Sequence, residues 1–238
     1  MAIIVVGGHT RNIGKTAVVA GLIAALPEFD WTAFKITQSG GDISSSDRKS
    51  YRCETYPHSM AISEERDPSA GTDSARFLAA GAARSFWIRT RQGQLADAMP
   101  RIRKELATST NAILESNSIL QFLQPDLYLT VLDPANRDFK SSARKFLARA
   151  DAVLWSGDAS RERVAEADGW PEDLLLAARS KPQFFLEPTT HTCAALTEFV
   201  ARHLSPSAHR GEKQICEEKC AGALAASPIA GNTQKNTR

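Results

Sequence analysis

The sequence predicts an α/β fold, a mostly parallel sheet with helices on both faces. Three observations predict it. Short apolar runs recur along the chain and alternate with stretches of helical periodicity, the pattern of strands joined by crossover helices. The first run, Ile3-Ile4-Val5-Val6, leads through a glycine-bounded loop into a second apolar segment, Ala17-Val18-Val19-Ala20-Gly21-Leu22-Ile23. The chain has 238 residues, 42% of them hydrophobic, enough to bury one sizeable core.

Each element follows from its residues. The first strand covers residues 2–6. The first helix covers 15–26 and closes at Pro27, because proline has no N–H to continue it. A second strand spans 31–36. Residues 38–72 change character, with Ser-Ser-Ser, Gly-Gly and few aliphatics, and read as a long loop insertion of functional interest. Asp73 suits an N-cap for a helix over 73–80 that Gly81 ends. Residues 85–89 form a strand. A helix follows over 94–106, with a kink or break expected at Pro100. Strands follow at 111–115 and 127–133, a helix at 141–150 and a strand at 152–155. Residues 161–179 hold at least one helix, 183–186 the last strand and 193–204 the last helix. Residues 1–204 therefore read as one domain. Residues 205–238, rich in Ser, Ala, Gly, Asn, Lys and Pro, read as a disordered tail.

The loop Gly7-Gly8-His9-Thr10-Arg11-Asn12-Ile13-Gly14-Lys15-Thr16 carries the strongest chemical signal. A strand, a glycine-bounded loop and a helix aim backbone N–H groups and a helix N-terminus at one spot, which suits a phosphate chain. Gly8, His9, Thr10, Arg11, Asn12, Ile13, Gly14, Lys15, Thr16 and Ala17 form this candidate nucleotide site. Lys15 would reach the β- and γ-phosphates, and the Thr16 hydroxyl would hold Mg²⁺. Five residues separate Gly8 from Gly14 where the usual pattern has four, and His9 stands where that pattern has its first glycine.

In open parallel sheets, ligands bind beyond the carboxyl ends of the strands. Lys35, Glu115 and Asp133 close apolar strands, and Asp73 opens a helix. Mg²⁺ takes one or two carboxylates besides phosphate oxygens, so Thr16, Asp73 and Glu115 form a candidate metal set. Lys35 and Lys15 are the candidate catalytic cations. The plainer alternatives are a solvated strand end for Glu115, a helix cap for Asp73 and a turn residue for Asp133 before Pro134.

These motifs resemble two families. The spacing from Gly8 to Gly14-Lys15-Thr16 resembles dethiobiotin synthetase, whose phosphate loop also has five residues between its glycines. Phe34-Lys35-Ile36-Thr37-Gln38-Ser39-Gly40 is similar to that family's lysine-bearing strand end, where the lysine faces the substrate and the transferred phosphate. Leu114-Glu115 stands where the family places a Mg²⁺-binding glutamate. Here Ser116-Asn117-Ser118-Ile119 replaces the glycine-rich turn after that glutamate, and Thr10 and Arg11 replace an Asp and a Thr inside the loop. Asp73-Ser74-Ala75-Arg76-Phe77-Leu78-Ala79-Ala80-Gly81-Ala82 resembles a helix of the nucleotide-binding adaptor of molybdopterin-guanine dinucleotide synthesis. That adaptor's loop has the usual spacing and lacks His9-Thr10-Arg11-Asn12. The resemblances cover residues 2–40, 73–82 and 111–116. Together they imply the P-loop NTPase superfamily, and because both families act as dimers they imply a homodimer.

The implied activity is Mg²⁺-dependent nucleoside triphosphate binding with hydrolysis, or ATP-dependent transfer or ligation on a small molecule. The alternative is a nucleotide-dependent adaptor for a partner enzyme. ATP is expected over GTP because the guanine motif Asn-Lys-x-Asp is missing at Trp155-Ser156-Gly157-Asp158. Leu186-Glu187-Pro188 is a second candidate for reading the base, and an ordinary turn is an equal reading of both segments.

Composition bounds the rest. A net charge of +2 gives no global argument for nucleic acid. Arg84, Arg89, Arg91, Arg101, Arg103 and Lys104 make one locally basic stretch, which reads as a solvated helix face, with a phosphate-facing patch as the alternative. No apolar run is long enough to span a bilayer, and Met1 leads straight into a strand, so a cytoplasmic protein is expected. Cys216 and Cys220, with His203 and His209 upstream, fit no standard zinc spacing, and Cys53 with His58 fits still less well.

Overall fold

The computed structural model describes residues 1–39, 54–55, 60–156 and 170–204. The expected disordered tail at 205–238, Cys53, His58, His209, Cys216, Cys220, Gly157 and Asp158 lie outside the described residues. Residues 1–200 form one compact unit. Of the second unit, 201–238, the described part is the end of the last helix.

The elements in order are β1 (Ile3–Gly8), α1 (Lys15–Ala25), β2 (Trp31–Ser39), β3 (Glu54–Thr55), β4 (Met60–Glu65), α2 (Asp73–Ala79), β5 (Arg84–Arg91), α3 (Leu95–Ala107) and β6 (Asn111–Glu115), then β7 (Leu127–Leu132), α4 (Ser141–Phe146), β8 (Ala152–Trp155), α5 (Glu172–Arg179), β9 (Gln183–Phe185) and α6 (Ala194–Leu204). The strands form one nine-stranded sheet in the order β3-β4-β5-β2-β6-β1-β7-β8-β9. From β5 to β9 every pairing is parallel. The fold is thus α/β with a mostly parallel sheet, as the alternating pattern predicts.

The stretch read as a loop insertion carries β4, which pairs antiparallel with β5 from Met60↔Thr90 to Glu65↔Ser85. Its alternation is a strand's, with Ala61, Ser63 and Glu65 buried. Two of those three are polar, so an apolar period does not reveal the strand. Other boundaries also shift. β2 runs on to Ser39, because Thr37, Gln38 and Ser39 keep pairing with Arg89, Thr90 and Arg91. The predicted helix over 141–150 changes to 3₁₀ geometry at Leu147–Arg149. α3 runs unbroken past Pro100. Pro100 is exposed, which leaves the carbonyl it cannot satisfy open to water. The same helix buries Leu95, Ala98, Met99, Ile102 and Leu106, and that burial outweighs the proline's cost.

Side-chain direction sorts the two faces of the sheet. On β2, Phe34 and Ile36 join Phe86 and Ile88 of β5 and the apolar stripe of α3 in one core cluster. Lys35 points to the other face, where it meets Asp73 at the start of α2. A second cluster, of Leu132, Leu147, Val153, Trp155, Trp170, Leu174 and Ala178, packs α5 under β7 and β8. Two residues of the basic stretch, Arg84 and Arg101, pair with carboxylates. Arg84 bridges Glu64 at 2.8 Å and Glu105 at 2.9 Å, and Arg101 reaches Glu105 at 2.9 Å. Among the described residues no helix is long and apolar enough to cross a membrane.

Gly7 sits where three elements meet. A Cβ there would collide with the Asn117 amide oxygen and lie 2.8 Å from the Tyr128 hydroxyl. Gly7→Ala is therefore expected to destabilise the protein by about 1–3 kcal/mol. Urea unfolding would register this as a lower midpoint at unchanged slope.

Candidate functional site

The loop between β1 and α1 has the conformation its glycines require. Gly14 is left-handed (φ 91°), as is Asn12 (φ 56°), and only glycine takes the former without strain. Gly8 must be small because a Cβ would approach Ile13 Cγ2 at 2.8 Å, since the Ile13 side chain tucks in beneath it. No side chain caps α1, and no acidic residue lies in its first turn. The N–H groups of Lys15, Thr16 and Ala17 therefore keep their donor capacity and the positive end of the helix dipole.

Asn117 clamps the loop. Its amide oxygen accepts from Gly8 N at 2.8 Å, and its amide nitrogen donates to Gly8 O at 2.8 Å. Both bonds are buried, and the residues stand 109 apart in sequence. The residue-by-residue reading of the sequence missed this contact. The one available signal was the position of Asn117, two residues past a charged strand end.

The predicted strand-end residues converge. Lys35 Nζ lies 2.7 Å from Glu115 Oε1, 2.7 Å from Asp73 Oδ2 and 3.0 Å from Thr16 Oγ1. The Thr16 hydroxyl donates to Glu115 Oε2 at 2.7 Å. Register explains the meeting: Lys35 pairs with Glu115 across β2 and β6, and Glu115 pairs with Val6 of β1, the strand that feeds the loop. The Glu115 side chain is only 4% exposed, so a solvated strand end is not its role. Asp73 is not the cap of α2. Thr72 is, with its Oγ1 accepting from Ala75 N at 3.0 Å. Asp73 is thereby the first helical residue, free to point at Lys35. Two carboxylates and a hydroxyl thus surround one positive charge, an oxygen-only donor set that fits a hard cation such as Mg²⁺ completed by phosphate oxygens. Among the described residues no group of three or more His, Cys, Asp or Glu is placed to hold a metal.

Lys15 folds back over its loop and donates to Thr10 O at 3.3 Å. Burial pushes its ammonium down to about 8, with Lys140 and Lys35 pressing the same way and Glu115 against it.

The His9 side chain is fully buried and faces away from this point. Its ring packs on Phe139 (centroids 4.6 Å apart) and Trp170 (5.6 Å). Nε2 lies 3.3 Å from Asn136 O. A carbonyl only accepts, so Nε2 carries the proton, and Nδ1 has no hydrogen-bond partner. Any contact of His9 with a phosphate would come from its backbone. The segment after β7 is anchored here: Lys140 N donates to His9 O at 2.9 Å, and Thr10 Oγ1 to Asp138 Oδ2 at 2.9 Å. Asp133 itself closes a turn, accepting from Ala135 N at 2.9 Å. The two base-reading candidates lie side by side, Leu186 N donating to Trp155 O at 3.0 Å. Trp155 is buried, bonded through Nε1 to Gln183. Glu187 sits in a turn, with its N donating to Thr192 O.

No protein-family model matches the sequence, and no curated protein is significantly similar to it. Solved structures show distant likeness. HypB from Helicobacter pylori in complex with nickel is 14% identical, with a TM-score of 0.41 over 84% of this chain and 85% of that one. LpxK from Aquifex aeolicus in complex with ATP is 16% identical, with a TM-score of 0.43 over 78% of this chain and 53% of that one. The MinC:MinD cell division protein complex of Aquifex aeolicus gives 13% and 0.40 over 98% and 100%. Likeness this distant says nothing about substrate or reaction.

Burial lowers the pKa of His9, against the raising influence of the nearby Val131 and Asn136 carbonyls and of Asp133 and Asp138. The unfolded chain therefore binds a proton near pH 6.5 that the folded loop refuses, so His9 lowers stability as pH falls through that value. Urea unfolding at pH 7.5 and pH 5.5 should show the parent losing more stability than His9→Gln. Equal losses would mean that His9 titrates normally.

Proposed function

We propose that the chain is a Mg²⁺-dependent nucleoside triphosphate-binding protein that hydrolyses its nucleotide or transfers its terminal phosphate to a small molecule. The observation that carries this reading is the convergence of Thr16, Lys35, Asp73 and Glu115 at one point beside the N-terminus of α1, with Lys15 folded over the adjoining loop. Phosphoryl transfer needs positioning and charge neutralisation more than covalent help from the protein. The backbone amides from Gly8 to Ala17 would cradle the phosphates. Lys15 would leave Thr10 O for the β/γ oxygens. Thr16, Glu115 and Asp73 would hold Mg²⁺. When bound, that ion spreads the charge of the phosphate oxygens. Lys35, released from those oxygens, would stabilise the terminal phosphate or anchor an anionic second substrate. The dethiobiotin-synthetase-like reading, ATP-dependent phosphoryl transfer or ligation on a small molecule, uses Lys35 in that second way.

One observation favours the adaptor reading. Asp73 opens α2, so whatever changes the company of Lys35 acts directly on a helix that packs against α1, β2 and β5. An adaptor would hydrolyse slowly alone and faster with its partner enzyme, whereas a ligase would stay inert until its small substrate is added.

Titration calorimetry of ATP and GTP, each with and without Mg²⁺, tests the reading and the base preference together. Mg²⁺-dependent binding is expected in the parent and about 100-fold weaker binding in Lys15→Ala, the worth of one or two charge-assisted hydrogen bonds. Unchanged affinity in that variant would sink the proposal.

The depressed Lys15 ammonium gives a second expectation. At pH 8 about half of it is neutral, and phosphate at its side favours the charged form. Nucleotide binding at pH 8 should therefore take up protons, seen as a heat that varies with the ionisation enthalpy of the buffer. Lys15→Arg, charged at every pH, should bind with less uptake.

A further inference from the structure

We propose that Lys140 is a third lysine of the phosphate site and grips the terminal phosphate of the bound triphosphate. This rests on the nucleotide-binding reading above.

The argument begins with how Lys140 is held. The segment after β7 could have run off across the surface, as strand-to-helix connections usually do. Here it is drawn back onto the phosphate loop. Lys140 N donates to His9 O, and the Thr10 hydroxyl donates to Asp138 Oδ2. Between those two anchors the Phe139 ring packs on His9. The Asn136 carbonyl accepts from Trp170 Nε1 at 3.1 Å and faces His9 Nε2. His9, at the position where the usual loop has a glycine, thus buries its side chain to fix this segment. The lysine that ends the segment is the N-cap residue of α4 and is half-buried.

Charge argues for an anion there. Burial lowers the Lys140 ammonium, Arg11 and Lys35 press the same way, and Asp138 and Glu115 oppose them. Lys140 in turn acts on Lys15. Lys35 already engages both Glu115 and Asp73. Counted together, Arg11, Lys15, Lys35 and Lys140 exceed Asp73, Glu115 and Asp138 by one positive charge, and one Asp138 oxygen is already occupied by Thr10. A set of crowded cations, of which burial depresses the basicity of Lys15 and Lys140, gains free energy when a polyanion arrives. The end of that polyanion is set by the neighbours. Glu115 and Lys35, which both act on Lys140, mark the metal and terminal-phosphate end rather than the base.

Calorimetry of MgATP and MgADP on the full chain tests this, with Lys140→Gln and Lys140→Arg. The parent should prefer ATP to ADP. Lys140→Gln should lose about tenfold in ATP affinity with ADP affinity unchanged, the worth of one charge-assisted hydrogen bond. Lys140→Arg should restore the preference. ATP and ADP weakened alike would make Lys140 a structural residue of the loop and overturn the inference, as would an unchanged ATP preference in Lys140→Gln, although that result leaves nucleotide binding intact. A parent that binds neither nucleotide would overturn both the inference and the reading beneath it.

Discussion

The ammonium of Lys35 holds the site together. It reaches oxygens from α1, α2 and β6 while its own backbone belongs to β2, so one charge joins four elements at the carboxyl end of the sheet. The parallel register makes this geometry obligatory: β2 and β6 pair so that Lys35 and Glu115 stand side by side, both largely buried. Burying either charge alone would be expensive, and removing one partner of such a pair typically costs about 3–5 kcal/mol. The arrangement is therefore stabilising only while it is complete. Three oxygens gathered around one cation also make a preformed place for another cation, so structure and proposed chemistry use the same atoms.

Much of this was legible in the residues, for a physical reason. Glycines, a Lys-Thr pair and charges closing apolar strands are local signals, and a parallel sheet brings strand ends together whatever the rest of the chain does. Gly8, Gly14, Lys15, Thr16, Lys35 and Glu115 could be picked out on that basis alone. What was not legible depends on contacts across long sequence separations. Asn117 looks like an ordinary polar residue until its amide is found on both backbone groups of Gly8. Lys140 is one lysine among many until its N–H is traced to His9. Thr72 rather than Asp73 caps α2, because both are good caps and only the turn geometry decides between them. β4 escaped notice because its inward side chains include Ser63 and Glu65. Glu65 is satisfied by the Thr72 and Ser74 hydroxyls and the N–H groups of Arg66 and Asp67 rather than by apolar packing.

His9 shows how a departure from a common pattern can be absorbed. A glycine at that position would leave room beneath the loop. Here an imidazole fills it and stacks with Phe139 and Trp170, and aromatic pairs of this kind contribute about 0.5–1.5 kcal/mol beyond their buried area. The cost is an Nδ1 with no partner in a buried setting. The extra residue in the loop and the histidine belong together, since the lengthened turn is fastened to the segment after β7 through the same ring.

The Trp170 indole donates to the Asn136 carbonyl that also faces His9, and its ring lies against the imidazole. Indole emission responds to the polarity and hydrogen bonding around the ring. The molecule therefore carries a tryptophan one side chain away from the loop between β1 and α1. A displacement of that loop would change the surroundings of the Trp170 ring, which makes its emission a natural reporter on the proposed site.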